Sequence, residues 1–453
     1  ATVGPAASAP TPSPGDSAHY YFALQTDLEA ACTDTSTLVR GVVRAVRDHV
    51  VLVEDGATPA SGAFTPETWE ALADDLDRRV VPVDTAYFGG SADLDGNRRL
   101  VLLFTPAVNR LSPAGAPPVG GFFLPLDLAA SGRSPSAAEG RAGETCPASN
   151  EAELLYLAVP DPEGELGAPR TAAEVVRDVG PLVAHELQHL VNAERRVLFG
   201  EGGFAAVEEL WLDEALSAIA EEVVGLAALE LAERGDYTLE AMSGTREQRE
   251  LFEAYHLGNF FNLSLFLSDP AATPVVAATD PGGVDGLRMR GFGWLLLRWL
   301  GDHADGDAQP FLRRLASGGP NQARGVPNVE QAAGRRWDEL LSEFAVTVAA
   351  DDAGVQDLSA RYRILTWNFR DVFASLSRDP TARSRFPVPF PLRATPIGFE
   401  TTAIEFDVGA STVRYFALVS GLDSPAVALT LSSPDGRALD QDARPHVTIV
   451  RTR

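Results

Sequence analysis

Lysine is absent from this chain: all 37 of its basic side chains are arginine, and they stand against 63 acidic side chains. We attribute the missing lysine to coding bias in the gene. The formal net charge of −26 repels phosphate backbones and anionic lipid, which excludes nucleic acid and an anionic membrane surface as partners. No apolar run reaches the roughly 18 residues needed to cross a bilayer, so membrane insertion is not expected.

Cysteine is scarce. Cys32 and Cys146 are the only two, a number compatible with one disulfide in an oxidising compartment or with two free thiols. Residues 1–17 are rich in alanine, proline, serine and glycine and carry almost no charge, which predicts a disordered linker. Such a stretch is expected after a removed signal peptide or a lipid anchor upstream of residue 1. We therefore expect a bacterial protein that is secreted or held in the cell envelope.

Only seven histidines occur, yet two of them stand four residues apart in the sequence VAHELQHL. On a helix this spacing puts His185 and His189 on one face, where both rings can reach a single metal ion. Val183, Leu187 and Val191 lie on the opposite, apolar side. A chance HExxH match in such a chain is expected on the order of 0.01 times, so the pattern favours a metal site over a solvated helix face.

A catalytic zinc ion normally takes three protein ligands and keeps a fourth position for water, so two histidines are not enough. The metzincin pattern would place a glycine at 192 and a histidine at 195, but the chain has Asn192 and Arg195, which excludes that subclass. Residues 208–222 predict a second amphipathic helix. Glu214 lies just beside its apolar stripe, where a side chain can point along a helix interface.

The chain resembles the gluzincin metallopeptidases, in which a second helix donates a glutamate from a motif such as WLNE. The sequence HELQH at 185–189, taken with WLDE at 211–214, is most similar to the hyicolysin family of secreted bacterial metallopeptidases. The resemblance covers about residues 80–350. It implies a protein or peptide substrate and one catalytic Zn²⁺ ion held by His185, His189 and Glu214.

The chemistry of these residue types also permits peptide-bond hydrolysis. Zinc held by two imidazoles and a carboxylate lowers the pKa of its bound water to about 7. Glu186 follows a ligand directly, so it is placed to take the proton of that water as general base and to pass it to the leaving amine. We predict a secreted zinc endopeptidase. The alternatives are a non-catalytic cell-surface binding or scaffold protein on a degenerate peptidase fold, and a zinc aminopeptidase, for which a GAMEN-like element is missing.

The second ring nitrogen of a ligating histidine usually donates to a carboxylate or a carbonyl. Thermolysin-like gluzincins supply an aspartate four residues after the glutamate ligand, where this chain has Ala218. Asp213, Ser217 and Glu221 are the alternative partners, and the sequence does not choose among them.

A donor to the transition state is also required, and in gluzincins it is usually a tyrosine or a histidine. Tyr255 and His256, adjacent in FEAYHLGN, are the candidates for this catalytic role, with Arg288 and Arg290 as alternatives. For Tyr255, an interface aromatic with a satisfied hydroxyl group is an equally good interpretation.

The sequence DLDGN at 93–97 carries the alternating oxygen donors of a calcium loop. An EF-hand would also need a glycine at 98 and a glutamate at 104, where Arg98 and Phe104 stand. Asp95-Gly96 is a dipeptide typical of turns, and the apolar run after it predicts a buried strand. We favour a turn here and keep a structural Ca²⁺ ion as the other interpretation.

Hydrophobic patterns predict an α+β fold in which a mixed sheet with helices is followed by a helical lobe. The resemblance implies that these parts form a zincin-like, two-lobed catalytic domain. Alternating strand and helix patterns predict an α/β lobe over 18–170. Its runs at 120–125 or 153–159 could bind the substrate backbone as an edge strand.

The rest of the chain divides into three predicted regions. Residues 171–239 are predicted to contain the HExxH helix and the WLDE helix, with a loop at 200–203 between them. The HExxH helix is predicted to begin with a capping box at Thr171 and to be interrupted at Gly180-Pro181. Residues 240–395 predict the helical lobe. Short runs with turn residues predict a small β-sandwich-like module over 396–453.

Overall fold

The computed structural model describes residues 11–24, 28–113, 115, 118–132, 145–198, 206–271, 275–398, 403–418, 429–439 and 445–450. Residues 1–10 of the predicted linker and the loop predicted at 200–203 lie outside this part of the chain. The strands are β1 (Ser17–Tyr21), β2 (Leu38–Val46), β3 (Val50–Asp55), β4 (Leu100–Phe104), β5 (Gly121–Phe123), β6 (Leu154–Leu157), β7 (Thr395–Ile397) and β8 (Phe416–Leu418).

The helices carry most of the described chain after residue 171. They are α1 (Leu28–Thr33), α2 (Pro66–Asp75), α3 (Val81–Phe88), α4 (Pro106–Asn109), α5 (Ala172–Val197), α6 (Leu210–Ala228), α7 (Leu239–Ser243), α8 (Arg246–Tyr255), α9 (Leu257–Ser268), α10 (Gly283–Asp302), α11 (Ala308–Ser317), α12 (Gly325–Ala333), α13 (Trp337–Ala350) and α14 (Phe369–Arg378).

Six strands form one mixed sheet with the order β1-β2-β3-β4-β6-β5. β1, β2 and β3 pair antiparallel, β4 and β6 continue parallel to β3, and β5 runs antiparallel to β6. β3 and β4 are buried along their whole length, as the apolar runs at 50–53 and 100–104 predict, and the burial of β3 extends to Glu54 and Asp55 at its end. The turn at Asp95-Gly96 precedes β4 but makes no hairpin, because β3 and β4 are parallel and the chain between them passes through α2 and α3.

β5 is the edge strand beside α5, and β6 lies inside the sheet between β4 and β5. Of the two runs predicted as a substrate-binding edge, 153–159 is therefore the wrong one. Both backbone edges of an internal strand are already paired, so that strand has no hydrogen bonds to offer a peptide. Of these two runs, only the one at 120–125, which contains β5, has a free edge in the described sheet.

Alternate residues of the strands face two separate hydrophobic clusters, as the two-residue period of a strand requires. Leu102 and Leu155 pack towards the helices, whereas Leu103 and Tyr156 pack on the far side of the sheet. Cys32 and Cys146 contribute to the far side and are joined there in a disulfide across 114 residues of sequence. Of the two interpretations of this cysteine pair, the disulfide is therefore the one found, and not two free thiols.

One continuous cluster of buried side chains extends from the sheet into the helices up to α14. The α+β class predicted from sequence is confirmed, and the mainly helical character of residues 240–395 is found as expected. The sheet and the helices share this cluster, so the core shows no break between one lobe and the next. The zincin-like two-lobed arrangement and the domain boundaries therefore stay predictions.

The prediction that the HExxH helix is interrupted at Gly180-Pro181 is wrong. α5 runs unbroken for 26 residues and begins at Thr171 with the predicted capping box, in which Thr171 and Glu174 bond each other's backbone N–H groups. Both Gly180 and Pro181 are buried in the fold. Proline removes one backbone hydrogen bond of the helix, and packing on several sides keeps the helix continuous despite this loss.

Beyond residue 395 the described chain has little regular structure. β7 and β8 pair in parallel as a two-stranded sheet, and the runs at 403–408 and 446–450 form no strand. The β-sandwich-like module therefore stays a prediction. Within the described ranges, no helix combines the length and the apolarity that crossing a bilayer requires.

Candidate metal centre

Two packed helices, α5 and α6, carry the candidate site. The apolar side of α5 is buried, whereas the side chains of His185 and His189 each keep 15% of their surface exposed. The end of α5 is fastened to the segment before α6 by an ion pair between Arg196 and Glu208, whose side chains are fully buried. This contact fixes how the two helices approach each other.

His185, His189 and Glu214 converge on one point, with one ligand atom from each lying within 4.8 Å of the others. The two Nε2 atoms are 3.1 Å apart, and Nε2 of His185 is 3.4 Å from Oε2 of Glu214. All three side chains come from the residues that the HExxH and WLDE motifs singled out. The donor set of two imidazole nitrogens and one carboxylate oxygen is typical of catalytic zinc.

The other ring nitrogen of each histidine, Nδ1, is hydrogen-bonded to a carboxylate. Nδ1 of His185 is 2.6 Å from Oε1 of Glu221, and Nδ1 of His189 is 2.8 Å from Oδ2 of Asp213. Each carboxylate accepts a hydrogen bond from Nδ1–H, and in that neutral tautomer the lone pair of Nε2 is directed at the common point. Ser217 lies 3.2 Å from Nδ1 of His189 but hydrogen-bonds Gln188 at 2.6 Å.

Two asparagines that sequence reasoning missed orient these carboxylates. Nδ2 of Asn192 donates to Oδ1 of Asp213 at 2.7 Å, and Nδ2 of Asn259 donates to Oε2 of Glu221 at 3.1 Å. Asn192 also accepts a hydrogen bond from Nε of Arg196. Asn192 lies one turn after His189 on α5 and could have been suspected from that spacing, but Asn259 comes from α9 and no motif marks it.

The carboxylate of Glu214 is satisfied at one oxygen only. Oε1 accepts a hydrogen bond from Arg290 at 2.8 Å. Oε2 is buried and finds no hydrogen-bond partner among the described residues, although Nε2 of His185 lies 3.4 Å from it. A buried carboxylate oxygen without a partner is costly unless a cation completes it. The unpartnered oxygen faces the two Nε2 atoms, so these residues fit a zinc ion.

Close packing of α10 brings Arg290 to this carboxylate. A Cβ atom on Gly293 would lie 2.6 Å from Cβ of Ala215 on α6, so only glycine permits the helices to approach this closely. Arg290 was an alternative donor in the sequence, and the structure places it against Glu214. Arg288 instead pairs with Asp285.

The charges of the group favour positive charge at its centre. Burial acts to lower the pKa of His185, but the carboxylates of Glu214 and Glu221 outweigh burial and raise that pKa well above its ordinary value. Burial likewise opposes charge on His189, and Asp213 raises its pKa. Burial acts to raise the pKa of Glu214, yet the two histidines lower it to about 2.

Glu186 lies between the two histidines and the edge strand. Its Oε2 accepts a hydrogen bond from the backbone N–H of Phe123 on β5 at 3.0 Å. Burial raises the pKa of Glu186, and the neighbouring histidines lower it in part. A carboxylate with a raised pKa is a stronger base, as proton transfer at neutral pH requires.

Tyr255 and His256 make their contacts away from the three converging residues. The hydroxyl group of Tyr255 lies directly against the backbone of Gly180, five residues before His185. A Cβ atom on Gly180 would lie only 2.1 Å from this hydroxyl oxygen. His256 is fully buried, with its ring against that of Trp367. Burial lowers the pKa of His256 to about 3, so this ring is neutral. Their predicted catalytic role finds no geometric support.

The chain is similar to a known metalloprotease over part of its length. It is 25% identical over 166 residues to the neutral metalloprotease ShpI of Staphylococcus hyicus, a stretch that covers 36% of this chain and 32% of that protein. The match thus spans about a third of the relative's length. No protein-family model matches the chain. At a coarse level, this similarity agrees with a metal-dependent peptidase.

The carboxylates behind the histidines carry a testable consequence. Asp213→Asn and Glu221→Gln are each expected to weaken zinc binding about 10–100-fold, because each removes the acceptor that orients one ring. Ser217→Ala is the matched control and should change affinity far less, since Ser217 is committed to Gln188. The measurement is competition for zinc with a fluorescent chelator. Equal effects of all three substitutions would contradict the assignment of the two carboxylates.

Proposed function

We propose that this chain is a zinc-dependent endopeptidase of gluzincin type, related to the hyicolysin family, with His185, His189 and Glu214 as the metal ligands. One observation carries the proposal: the buried, unpartnered Oε2 of Glu214 faces two Nε2 atoms whose rings are both oriented by carboxylates. A coincidental pair of surface histidines would not need this support. The partial similarity to a neutral metalloprotease points in the same direction.

Zinc at this point would lower the pKa of a water ligand to about 7 and polarise the carbonyl group of a peptide bond. Glu186 takes a proton from the attacking water and later gives it to the nitrogen of the leaving amine. Glu221 and Asp213 keep the two imidazoles in the tautomer that presents Nε2. Arg290 holds Glu214 in its ionised form and, with 34% of its side chain exposed, lies within the reach of a bound peptide.

β5 is the proposed docking strand for the substrate backbone. It is the edge of the sheet, and the N–H of Phe123 is bonded to Glu186. A peptide that pairs with this edge by strand addition would have its backbone carried past Glu186. Recognition through main-chain hydrogen bonds suits an endopeptidase, which must accept a continuous chain on both sides of the cleaved bond.

Two further considerations support the proposal. A degenerate scaffold would tolerate loss of a ligand or of its supporting carboxylate, whereas the three converging residues, the base and both carboxylates are all in place. The disulfide between Cys32 and Cys146 suits an oxidising compartment, which agrees with secretion or residence in the cell envelope.

The test is chelator-sensitive cleavage of an unstructured protein. The purified chain is incubated with casein, then with 1,10-phenanthroline, and then with added Zn²⁺. We expect cleavage at internal bonds, its loss with the chelator and its recovery with zinc. His185→Ala should be inactive, whereas the control His49→Ala, which changes an exposed histidine bonded to Asp77, should keep activity. Cleavage that survives the chelator, or that removes only terminal residues, would contradict the proposal.

A further inference from the structure

A second group of carboxylates lies on the opposite side of α5 from the candidate metal centre. Asp93 and Asp95 come from the loop before β4, and Glu153 immediately precedes β6. One oxygen atom from each lies within 4.8 Å of the others. Asp93 and Asp95 are half-buried and Glu153 is buried. Three separate carboxylates at this distance repel one another unless positive charge lies between them.

A fourth carboxylate, that of Glu194 on α5, lies beside the Glu153 member of this group. Its side chain is 99% buried, and Oε2 accepts a hydrogen bond from the N–H of Ala92 at 2.7 Å. Its other oxygen, Oε1, is buried without any hydrogen-bond partner. The carboxylate of Glu194 lies directly beside that of Glu153. Among the described residues, this buried oxygen has no donor although it belongs to a carboxylate beside Glu153, which indicates a missing cation independently of the cluster itself.

The surroundings supply little positive charge. Burial raises the pKa of Glu153 to about 7, and burial raises that of Asp95 to about 6, with neighbouring carboxylates adding to both. Arg195 acts on Glu194 in the opposite direction, but its guanidinium donates to the carbonyl oxygen of Gly90. Among the described residues, one arginine beside four carboxylates leaves the group with net negative charge.

We propose that Asp93, Asp95, Glu153 and Glu194 form a structural calcium site. The donors are all hard carboxylate oxygens, without a histidine or a cysteine that would favour zinc. Calcium–oxygen distances of about 2.4 Å allow ligand oxygens to lie up to about 4.8 Å apart. One oxygen from each of Asp93, Asp95 and Glu153 lies within that limit of the others. The irregular arrangement, with ligands from three segments, suits calcium better than the strict octahedron of magnesium.

The position of the site gives it a role for the fold. Glu194 lies five residues after His189 on α5, so a cation bound there would fasten the end of the HExxH helix to the loop at 92–97 and to the start of β6. The site is therefore expected to act on stability and on resistance to self-cleavage, while leaving the chemistry at His185 and Glu186 unchanged.

Calcium binding is measured by titration calorimetry on the zinc-loaded chain in calcium-free buffer, with thermal unfolding followed in parallel. We expect one Ca²⁺ ion per chain and a rise in Tm of roughly 5 °C at a hundredfold excess over Kd. MgCl₂ at the same concentration should raise Tm much less. The His185→Ala/His189→Ala double variant should still bind Ca²⁺, which separates this site from the zinc centre.

Two variants and one control locate the site. Asp93→Asn, at a half-exposed position that tolerates the change, and Glu194→Gln should each weaken calcium binding at least about tenfold. Asp84→Asn is the matched control, because Asp84 is also a fully buried carboxylate without a hydrogen-bond partner, but it lies outside the group. It should bind calcium like the wild type. Absence of binding and of any Tm shift in about 10 mM CaCl₂, equal stabilisation by Mg²⁺, or unchanged binding in both variants would overturn the proposal.

Discussion

Replacing Glu186 with glutamine is expected to lower kcat/KM on casein or a model peptide by about 10²–10⁴-fold while leaving zinc bound. Glutamine has nearly the same shape, and its carbonyl oxygen can still accept the hydrogen bond from Phe123 on the edge strand. The substitution therefore removes the proton acceptor without displacing β5 or the histidines. Steady-state kinetics and the zinc content of the same preparation make the measurement.

The matched control lies on the same helix. Glu174→Gln changes an exposed glutamate in the capping box of α5, where glutamine can serve equally well, so activity should match the wild type. Activity of Glu186→Gln above about a tenth of the wild-type value, with zinc bound, would exclude Glu186 as the general base.

Replacing Glu214 with glutamine is expected to remove zinc, not only activity. Loss of a carboxylate that merely orients a ligand costs about 10–100-fold in metal affinity, and loss of a direct ligand should cost more than that. The neutral amide also withdraws the charge that pairs with Arg290 and His185. Zinc affinity by chelator competition, together with circular dichroism of the zinc-free protein, separates loss of the metal from loss of the fold.

Glu230→Gln is the control for this substitution, since Glu230 is an exposed glutamate just beyond the end of α6. It should retain wild-type affinity. If Glu214→Gln binds zinc as tightly as Glu230→Gln does, Glu214 is not a ligand and the third position belongs to another residue.

The sequence predicted the parts of the site that depend on local periodicity. The spacing of His185 and His189 follows from one helical turn, and Glu214 follows from a second amphipathic helix read with its motif. The choice among Asp213, Ser217 and Glu221 could not be made, because it depends on how α6 is rotated against α5. In the structure, Nδ1 of each histidine donates to a different carboxylate, so two of the three candidates are partners rather than one.

Predictions that depended on tertiary context were less accurate. Gly180 and Pro181 are poor helix formers, but buried packing keeps α5 continuous. Tyr255 and His256 lie where one helix ends and the next begins, and both are buried, so their catalytic role stays a prediction. The order of strands in the sheet, which decides between the runs at 120–125 and 153–159, is a long-range property that hydrophobic patterns do not contain.

The acidic group around Asp93 and Asp95 is a second case in which tertiary contacts could not be predicted from local sequence. The DLDGN sequence alone fitted a turn at least as well as a cation site, because the EF-hand spacing failed. Its proposed partners, Glu153 and Glu194, follow at distances of about 60 and about 100 residues, so no local motif could connect them. Only the tertiary fold brings Asp93, Asp95 and Glu153 together and places Glu194 of α5 beside Glu153.

The central claim is that His185, His189 and Glu214 hold one zinc ion. Anomalous diffraction from crystals of the zinc-loaded chain, collected on both sides of the zinc absorption edge, tests this most directly. We predict one strong anomalous peak at about 2.0–2.2 Å from Nε2 of each histidine and from Oε2 of Glu214. A peak elsewhere, or no peak between these three atoms at full zinc occupancy of the sample, would contradict the account.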